Sequence, residues 1–396
     1  MRVLIAGQTY RPPRNGAAVF TVHLAEGLVR AGHEVLVLAP SDGRRAYQSV
    51  MNGVRVQTVP ALSLAPFYPE IHVTLRPGPQ VTGIIDRFRP QVVHLQDHYP
   101  LSRAALQAAR ARGVPVVGTN NFLPANMATQ VPLLRHAQAP LERLIWRTVS
   151  DVFDRVQVVT VATRAAAAIL RPHIAAPIQI ISNGVDLMRF HPGTADPVGM
   201  RRRYGLDPNR PVVIYVGRLD ADKQVEVLLR AMYRRGHDGL QLAIAGRGRH
   251  MAALQSLATR LALGDRVVFT GFVPDQDLQP LLASVDLFAM PGAVELQCLA
   301  ALEAMACGRP VLLADSCALP ELVDEGVNGY LFRPGDDHHA AERLDQLLAE
   351  RSRWPEMGQA SIAKARPHSL ENTVRSYERL YESLVRDTVM LEVAGA

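Results

Sequence analysis

The chain has 396 residues, of which 48% are hydrophobic, 20% charged and 6% aromatic, which excludes wholesale disorder and suits two or three domains at about 100–200 residues each. The net charge of +6 conceals an asymmetry: residues 1–180 hold 19 Arg against 9 Asp and Glu, net +10, whereas residues 181–396 hold 24 Lys and Arg against 28 Asp and Glu, net −4. Cys298, Cys307 and Cys317 have neither C-x-x-C spacing nor an accompanying His cluster, which argues against a disulfide framework or a zinc site and for a reducing compartment.

In chain order, Arg2–Ala6 reads as a buried strand rather than a signal peptide. Ala17–Ala31 follows with Phe20, Leu24 and Leu28 at helical spacing, closing at Gly32. Strands are expected at 34–39, 92–95, 114–118 and 157–162, with helices such as 103–112 between them. The alternation restarts with strands at 211–217 and 240–246 and helices at 224–235 and 250–262. Later strands are expected at 267–270, 287–289 and 310–314. Two such patterns, separated by a Pro/Gly-rich, charged stretch near 191–211, predict an α/β protein of two Rossmann-like, doubly wound domains facing a cleft. The boundaries expected are 1–180 and 181–375. Ser369–Arg386 reads as a further helix, with Tyr377, Leu380, Tyr381 and Leu384 on one face. No apolar run of about 18 residues predicts a membrane span.

Gly16 precedes a helix N-terminus, where free N–H groups and the dipole favour an anion, although a tight turn accounts for it equally well. In Gly217-Arg218-Leu-Asp-Ala-Asp-Lys223 a strand ends in a glycine turn, and two cations five residues apart enter a helix. That arrangement suits a diphosphate. Lys223 is one of only two lysines, with Lys364. Asp220-Ala-Asp222 and Asp275-Gln-Asp277 both spell Asp-x-Asp and are expected to be solvated loop residues, not a metal site. Gly246-Arg247-Gly248 ends another strand, where the backbone could approach a phosphate or base. In Glu295-Leu-Gln-Cys-Leu-Ala-Ala-Leu-Glu303, eight residues are a little over two helical turns. Both carboxylates are therefore expected on nearly one helix face, able to accept hydrogen bonds from vicinal hydroxyls. A glycosidase acid/nucleophile pair competes with that reading, and the nearby cations oppose it.

These segments, with Ser182-Asn-Gly-Val-Asp186, Gly271-Phe-Val-Pro274 and the run from Glu303 to Pro310, resemble glycosyltransferase family 4, the retaining enzymes of GT-B fold. The resemblance extends over nearly the whole chain. It implies that Gly16 lets the backbone approach the donor diphosphate and that Arg218 and Lys223 neutralise it as it departs. Glu295 would hold hydroxyls of the transferred sugar, and Leu296, Gln297, Cys298 and Leu299 would line the sugar and phosphate site. Glu303 would bind the ribose, and Gly246, Arg247 and Val273 would flank the base. It implies no metal or other cofactor, and a last helix, 376–396, that crosses back to the N-terminal domain. Where the family usually places a His, the loop reads Thr119-Asn120-Asn121. Asn121 can hydrogen-bond a sugar hydroxyl but cannot take a proton. Asp97, His98 and Asn120 are candidates for the acceptor side.

The first domain is the expected acceptor domain and carries the positive charge. Around Trp146, the stripe Leu141, Leu144, Ile145, Val149, Val152, Phe153 and Val156 is flanked by Arg143, Arg147 and Arg155. It reads as a core-facing helix with a solvated arginine face, or as a helix lying on an anionic lipid surface. No aromatic-basic motif points to nucleic acid. The expectation is a cytoplasmic enzyme, peripheral on the inner face of the cell membrane. It would move a hexose from a UDP- or GDP-sugar to a hydroxyl of a lipid or polysaccharide acceptor. The alternatives are a catalytically impaired sugar-nucleotide-binding protein, motivated by Asn121, and a sugar-nucleotide epimerase.

Overall fold

The computed structural model describes residues 1–10, 15–42, 45–63, 72–124, 138–193, 196–236 and 239–394. The described residues divide into two compact units, one of 1–124, 138–184 and 370–394, the other of 185–369. Each is built on a mostly parallel sheet with helices between its strands.

The first unit contributes β1 (Arg2–Ala6), β2 (Glu34–Pro40), β3 (Gln48–Met51), β4 (Val54–Val59), β5 (Ala61–Ser63), β6 (His72–Thr74), β7 (Val92–Leu95), β8 (Val116–Thr119), β9 (Val158–Val161) and β10 (Ile178–Ile180). Its main sheet runs β10-β9-β8-β7-β1-β2-β4-β3 and is parallel except for β3. β5 and β6 form a separate antiparallel pair. β1 lies inside the sheet, and its Val3, Leu4, Ile5 and Ala6 have no exposed surface. A strand covered on both faces takes such a continuous apolar run, which is why β1 stood out in the sequence. Strands β3 to β6 and β10, and the later strand at Gly329–Phe332, were not expected. β3 sits at the edge with its side chains partly or fully exposed, so it carries no apolar run to detect.

The second unit contributes β11 (Val212–Val216), β12 (Gln241–Ala245), β13 (Val267–Gly271), β14 (Leu287–Met290), β15 (Val311–Ala314) and β16 (Gly329–Phe332), ordered β13-β12-β11-β14-β15-β16. All its pairings are parallel. In both sheets the order reverses at the first strand of the unit, between β1 and β7 and between β11 and β14. At such a switch point the loops leaving neighbouring strands diverge and open a crevice at their carboxyl ends. The stretch expected to be a linker instead holds a short helix, Pro197–Arg203. Asp196 caps it, accepting from the Gly199 N–H at 2.7 Å.

The helix Leu370–Ala394 belongs to the first unit. Its predicted stripe is buried: Tyr377 and Tyr381 are 0% exposed, with Leu380 and Leu384 beside them. Gly27 makes room for it, since a Cβ there would lie 2.4 Å from Val374 Cγ2. The two tyrosines also reach polar partners inside the sheet. The Tyr381 hydroxyl is 2.7 Å from His94 Nδ1, and His94 Nε2 is 2.6 Å from Thr119 Oγ1. Thr119 and Thr160 meet at 2.6 Å, and the Tyr377 hydroxyl is 2.9 Å from Thr160. Satisfied buried networks of this kind specify one packing, because any other leaves a polar group unpaired. Tyr381→Phe is expected to cost about 1–3 kcal/mol, because it strands His94 Nδ1. A urea midpoint shifted down at constant m would show this, and an unshifted midpoint would contradict it.

His94 is fully buried and burial lowers its pKa to about 3. Burial, with Arg103 as a second cause, lowers that of His98 to about 4. Both are depressed below the unfolded value of about 6.5, so between these limits the unfolded chain binds more protons. Their contribution is complete above pH 6.5 and is lost as pH falls toward 3–4. Thermal unfolding of the whole chain from pH 7.5 down to 5 should therefore show a falling midpoint, and His94→Gln should flatten that slope.

Candidate active site

At the switch point of the second sheet, β11 exits through Gly217 and Arg218 into a 3₁₀ turn, Ala221–Lys223. β14 exits through Pro291 and Gly292 to Glu295. The two loops meet: Lys223 Nζ lies 2.7 Å from Glu295 Oε1 and 3.3 Å from Asp222 Oδ2. Arg218 pairs with Asp220 and stands 3.9 Å from Asp222. Burial opposes the charge on Lys223, but Glu295 and Asp222 outweigh it and raise its pKa. The loops are tied by backbone too, with the Ala293 N–H donating to the Asp222 carbonyl at 3.3 Å. The Ser316 hydroxyl donates to the Ala293 carbonyl at 2.6 Å, and the Ala318 N–H to the Glu295 carbonyl at 3.1 Å.

Two expectations about these residues need correction. Glu295 and Glu303 do not share a helix face. The helix spans Leu299–Ala306 with Cys298 as its N-cap, so Glu295 lies in the preceding loop and only Glu303 is helical. The Pro-Gly turn and the backbone ties to Ala293 and Glu295 hold that loop away from helical geometry. The Asp-x-Asp pairs are not both solvated. Asp222 is 3% and Asp277 4% exposed. Asp277 accepts from the Tyr204 hydroxyl at 2.7 Å and pairs with Arg203 at 3.0 Å. Neither oxygen of Asp222 has a hydrogen-bond partner, and its charge is met by the ion pairs. Among the described residues, no group of three or more His, Cys, Asp and Glu could hold a metal ion.

Cys298 stands at the N-cap without a capping hydrogen bond from its side chain, and the first N–H groups of a helix have no partner within the helix itself. Cys298 is buried and Gln297 is 9% exposed. Glu303 keeps part of its surface accessible. Burial of its carboxyl nevertheless pushes the pKa up to about 8, with Arg189 opposing and Asp275 adding to the rise. At neutral pH it is largely protonated, offering one donor and one acceptor.

The glycines divide by what surrounds them. A Cβ on Gly246, at φ +146°, would lie 1.8 Å from the Gly217 carbonyl oxygen, and one on Gly248 would lie 2.3 Å from that of Leu219. This Gly-x-Gly therefore serves the close packing of the β11 and β12 exit loops, sealed by the Leu219 N–H donating to the Arg247 carbonyl at 2.9 Å. A Cβ on Gly16 would meet nothing within 4 Å. Gly16 opens a helix that Asn15 caps, accepting from the Ala18 N–H at 2.9 Å, and residues 11–14 of that loop lie outside the described residues. Beside the β12 loop, Phe272 is 63% exposed, with the Arg247 guanidinium 6.0 Å from its ring centre and Val273 next in sequence. Phe272 and Asp222 were passed over in the sequence: one is apolar in a turn motif, the other a loop aspartate whose burial no local pattern betrays.

At the switch point of the first sheet, Asp97 ties two loops. Its carboxylate accepts from the Gln8 N–H, from the Tyr99 N–H at 3.0 Å and from the Ser102 hydroxyl at 2.7 Å. Burial raises its pKa against these three bonds. Asn120 closes its own turn, donating to the Phe122 carbonyl at 3.1 Å and accepting from its N–H at 3.3 Å. Asp97 and Asn120 thus have structural work, which the acceptor reading did not anticipate. His98 stacks on Tyr99 with ring centres 4.7 Å apart, and its Nδ1 is buried without a partner. Asn121 Oδ1 accepts from Asn183 Nδ2 at 3.2 Å, while Asn121 Nδ2 is buried and has no partner. It is a donor held ready for an oxygen. Residues 125–137 of the following segment lie outside the described residues, as does the Leu141 side chain. On the helix Gln138–Phe153, Val149, Val152 and Phe153 are buried as the core stripe requires, while Leu144 is 57% exposed.

Two family models match, Glycosyltransferase Family 4 over residues 14–189 and Glycosyl transferases group 1 over residues 199–366. The chain is 31% identical over 382 residues to a GDP-mannose-dependent alpha-mannosyltransferase of Mycolicibacterium smegmatis, covering 96% of this chain and 97% of that one. It is also 31% identical over 373 residues to a GDP-mannose-dependent alpha-(1-6)-phosphatidylinositol monomannoside mannosyltransferase of Mycobacterium tuberculosis, covering 91% and 92%. In fold it matches the sucrose-phosphate synthase of Thermosynechococcus elongatus with a TM-score of 0.81 at 21% identity, covering 98% and 100% of the two chains.

The packing of the glycines has a direct test. Gly246→Ala should destabilise by about 2 kcal/mol or more, through both the clash and the positive φ. Gly16→Ala, at a helix start with open space, should leave the unfolding midpoint unlowered. Equal effects at the two sites would contradict the difference in surroundings.

Proposed function

Since the chain belongs to glycosyltransferase family 4 and is a glycosyltransferase using a nucleotide sugar, we propose that it moves mannose from GDP-mannose, with retention of configuration, to a hydroxyl of a lipid-linked or glycan acceptor. The observation that carries the donor half is the Lys223–Glu295 pair at the second switch point. It sets a cation for the diphosphate beside a carboxylate for sugar hydroxyls. The choice of GDP-mannose draws on what the mannosyltransferase relatives are named for.

In this reading Arg218, Lys223 and the N–H groups at the start of the helix after Cys298 take the diphosphate. Leu296, Gln297, Cys298 and Leu299 line the sugar, with Glu295 accepting from its hydroxyls. Glu303 holds the ribose. Arg247, Val273 and the exposed face of Phe272 flank the base, and Gly246 supports that loop from behind. Gly16 leaves room for an anion at its helix start. The anomeric carbon–oxygen bond breaks as negative charge builds on the leaving phosphate, which the two cations stabilise. The acceptor hydroxyl adds on the same face and its proton passes to the departing phosphate oxygen. Asn121 cannot take that proton, and it would instead donate Nδ2–H to a sugar oxygen. In this reading no metal or cofactor takes part.

The acceptor and any membrane contact belong, in this reading, to the first unit. Arg103, Arg110 and Arg155 line a hollow of about 290 Å³ with Asp151, Leu106 and Gln107. Arg143, Leu144 and Arg147 are exposed on the helix Gln138–Phe153. Such an arginine-rich face suits an anionic lipid surface. Among the described residues, no helix is long and apolar enough to cross a membrane.

The test is transfer from labelled GDP- and UDP-sugars to membrane extract, with the anomer of the product read by NMR. Labelled mannose in product from GDP-mannose is expected. Nucleotide binding without transfer or donor hydrolysis would favour the impaired alternative, and conversion of the free sugar nucleotide would favour the epimerase. Because Glu303 is largely protonated at pH 7, Glu303→Gln should keep GDP affinity within about threefold, while Glu303→Ala should lose about tenfold, near one hydrogen-bonded contact.

A further inference from the structure

We propose that Lys223 is shared between a resting and a loaded partner, so that departure of the sugar weakens the hold on the nucleoside diphosphate. This rests on the donor site proposed above. The two cations assigned to the diphosphate have three carboxylates within 4 Å: Asp220, Asp222 and Glu295. A dianionic diphosphate entering this cluster meets cations whose charge is already answered. To bind, it must draw Lys223 from Glu295, the nearer partner at 2.7 Å. That frees Oε1 of Glu295 for a sugar hydroxyl, and a sugar nucleotide uses both halves of the opened pair. After transfer the sugar is gone, Glu295 has no hydroxyl to meet, and it competes again for Lys223. The product is held less firmly than the donor by the same residues.

Asp222 makes the exchange workable. It is buried, its carboxylate oxygens have no hydrogen-bond partner, and it lies 3.3 Å from Lys223 and 3.9 Å from Arg218. A buried carboxylate so placed keeps Lys223 protonated while it changes partners. It also keeps a fixed negative charge opposed to the diphosphate. Asp222 is therefore a positioning residue, acting through Lys223 and touching neither substrate nor reacting atoms. Its backbone carbonyl, bonded to the Ala293 N–H, joins it to the Glu295 loop as well.

The experiment measures GDP, UDP and the matching sugar nucleotides by calorimetry on the full chain and on Glu295→Gln and Asp222→Asn, with unfolding midpoints recorded alongside. Each variant leaves one carboxylate to keep Lys223 charged. Glu295→Gln should bind the nucleoside diphosphate about tenfold tighter than the unaltered chain, as one competing ion pair is removed, while transfer slows. Asp222→Asn should tighten it about threefold, with kcat falling more than KM rises. Nucleoside diphosphate affinity that is unchanged or weaker in both folded variants, beside normal binding by the unaltered chain, overturns the exchange and leaves the donor site standing. No nucleotide binding by the unaltered chain overturns both. Should one variant fail to fold, the other decides by the same sign.

Discussion

Lys223 and Glu295 stand 72 positions apart in sequence and 2.7 Å apart in space, and the second unit is arranged around that meeting. It requires β11 and β14 to be neighbours although two strands intervene in the chain. That order in turn requires the helical crossovers that cover both faces of the sheet. The exit loops must then stay put, because a long lysine side chain loses considerable entropy when fixed. Gly246 and Gly248 wedge one loop from the outside, while Ala293, Ser316 and Ala318 tie the other through its main chain. The ion pair is thus a property of strand order and loop anchoring, and only secondarily of two charged residues.

The first unit solves the opposite electrostatic problem. It carries the positive excess in its sequence, yet around its switch point the polar groups with unmet hydrogen-bonding capacity are neutral. His98 is held well below its ordinary pKa, and Asn121 keeps an amide donor free. The Asp97 carboxylate there is engaged with Gln8, Tyr99 and Ser102. The switch point of the second sheet is instead a cluster of ion pairs among Arg218, Lys223, Asp220, Asp222 and Glu295.

Much of this was legible in the sequence where burial and period coincide. The inner strands β1 and β11 carry continuous buried apolar runs, and the tyrosine stripe of the last helix has the expected 3.6-residue spacing. The edge strands β3 and β10 were missed because short, partly exposed segments carry no such imprint, while β4 and β16 were missed although largely buried. The site was legible as a set of residues and not as geometry. Glu303-to-Glu295 spacing suggested a shared helix face, whereas a proline-glycine turn and three tertiary bonds place Glu295 in a loop. Asp222 was read as solvated because a lone aspartate in a charged loop looks alike whether buried or not. Its environment comes from strands distant in sequence. Gly-x-Gly was read toward a ligand because sequence does not distinguish glycine that admits a substrate from glycine that admits a neighbouring carbonyl.

The last helix is interior structure for the first unit, with Tyr377 and Tyr381 completing a polar network whose other members, His94, Thr119 and Thr160, are made much earlier. On the ribosome, the first sheet therefore emerges without the element that seals it. The whole second unit, Val185–Ser369, must be synthesised before the seal arrives. During that interval His94 and the threonines face a vacant groove lined by Phe20, Leu24 and Leu28. Closure of the amino-terminal half therefore waits on synthesis of the segment Val185–Ser369.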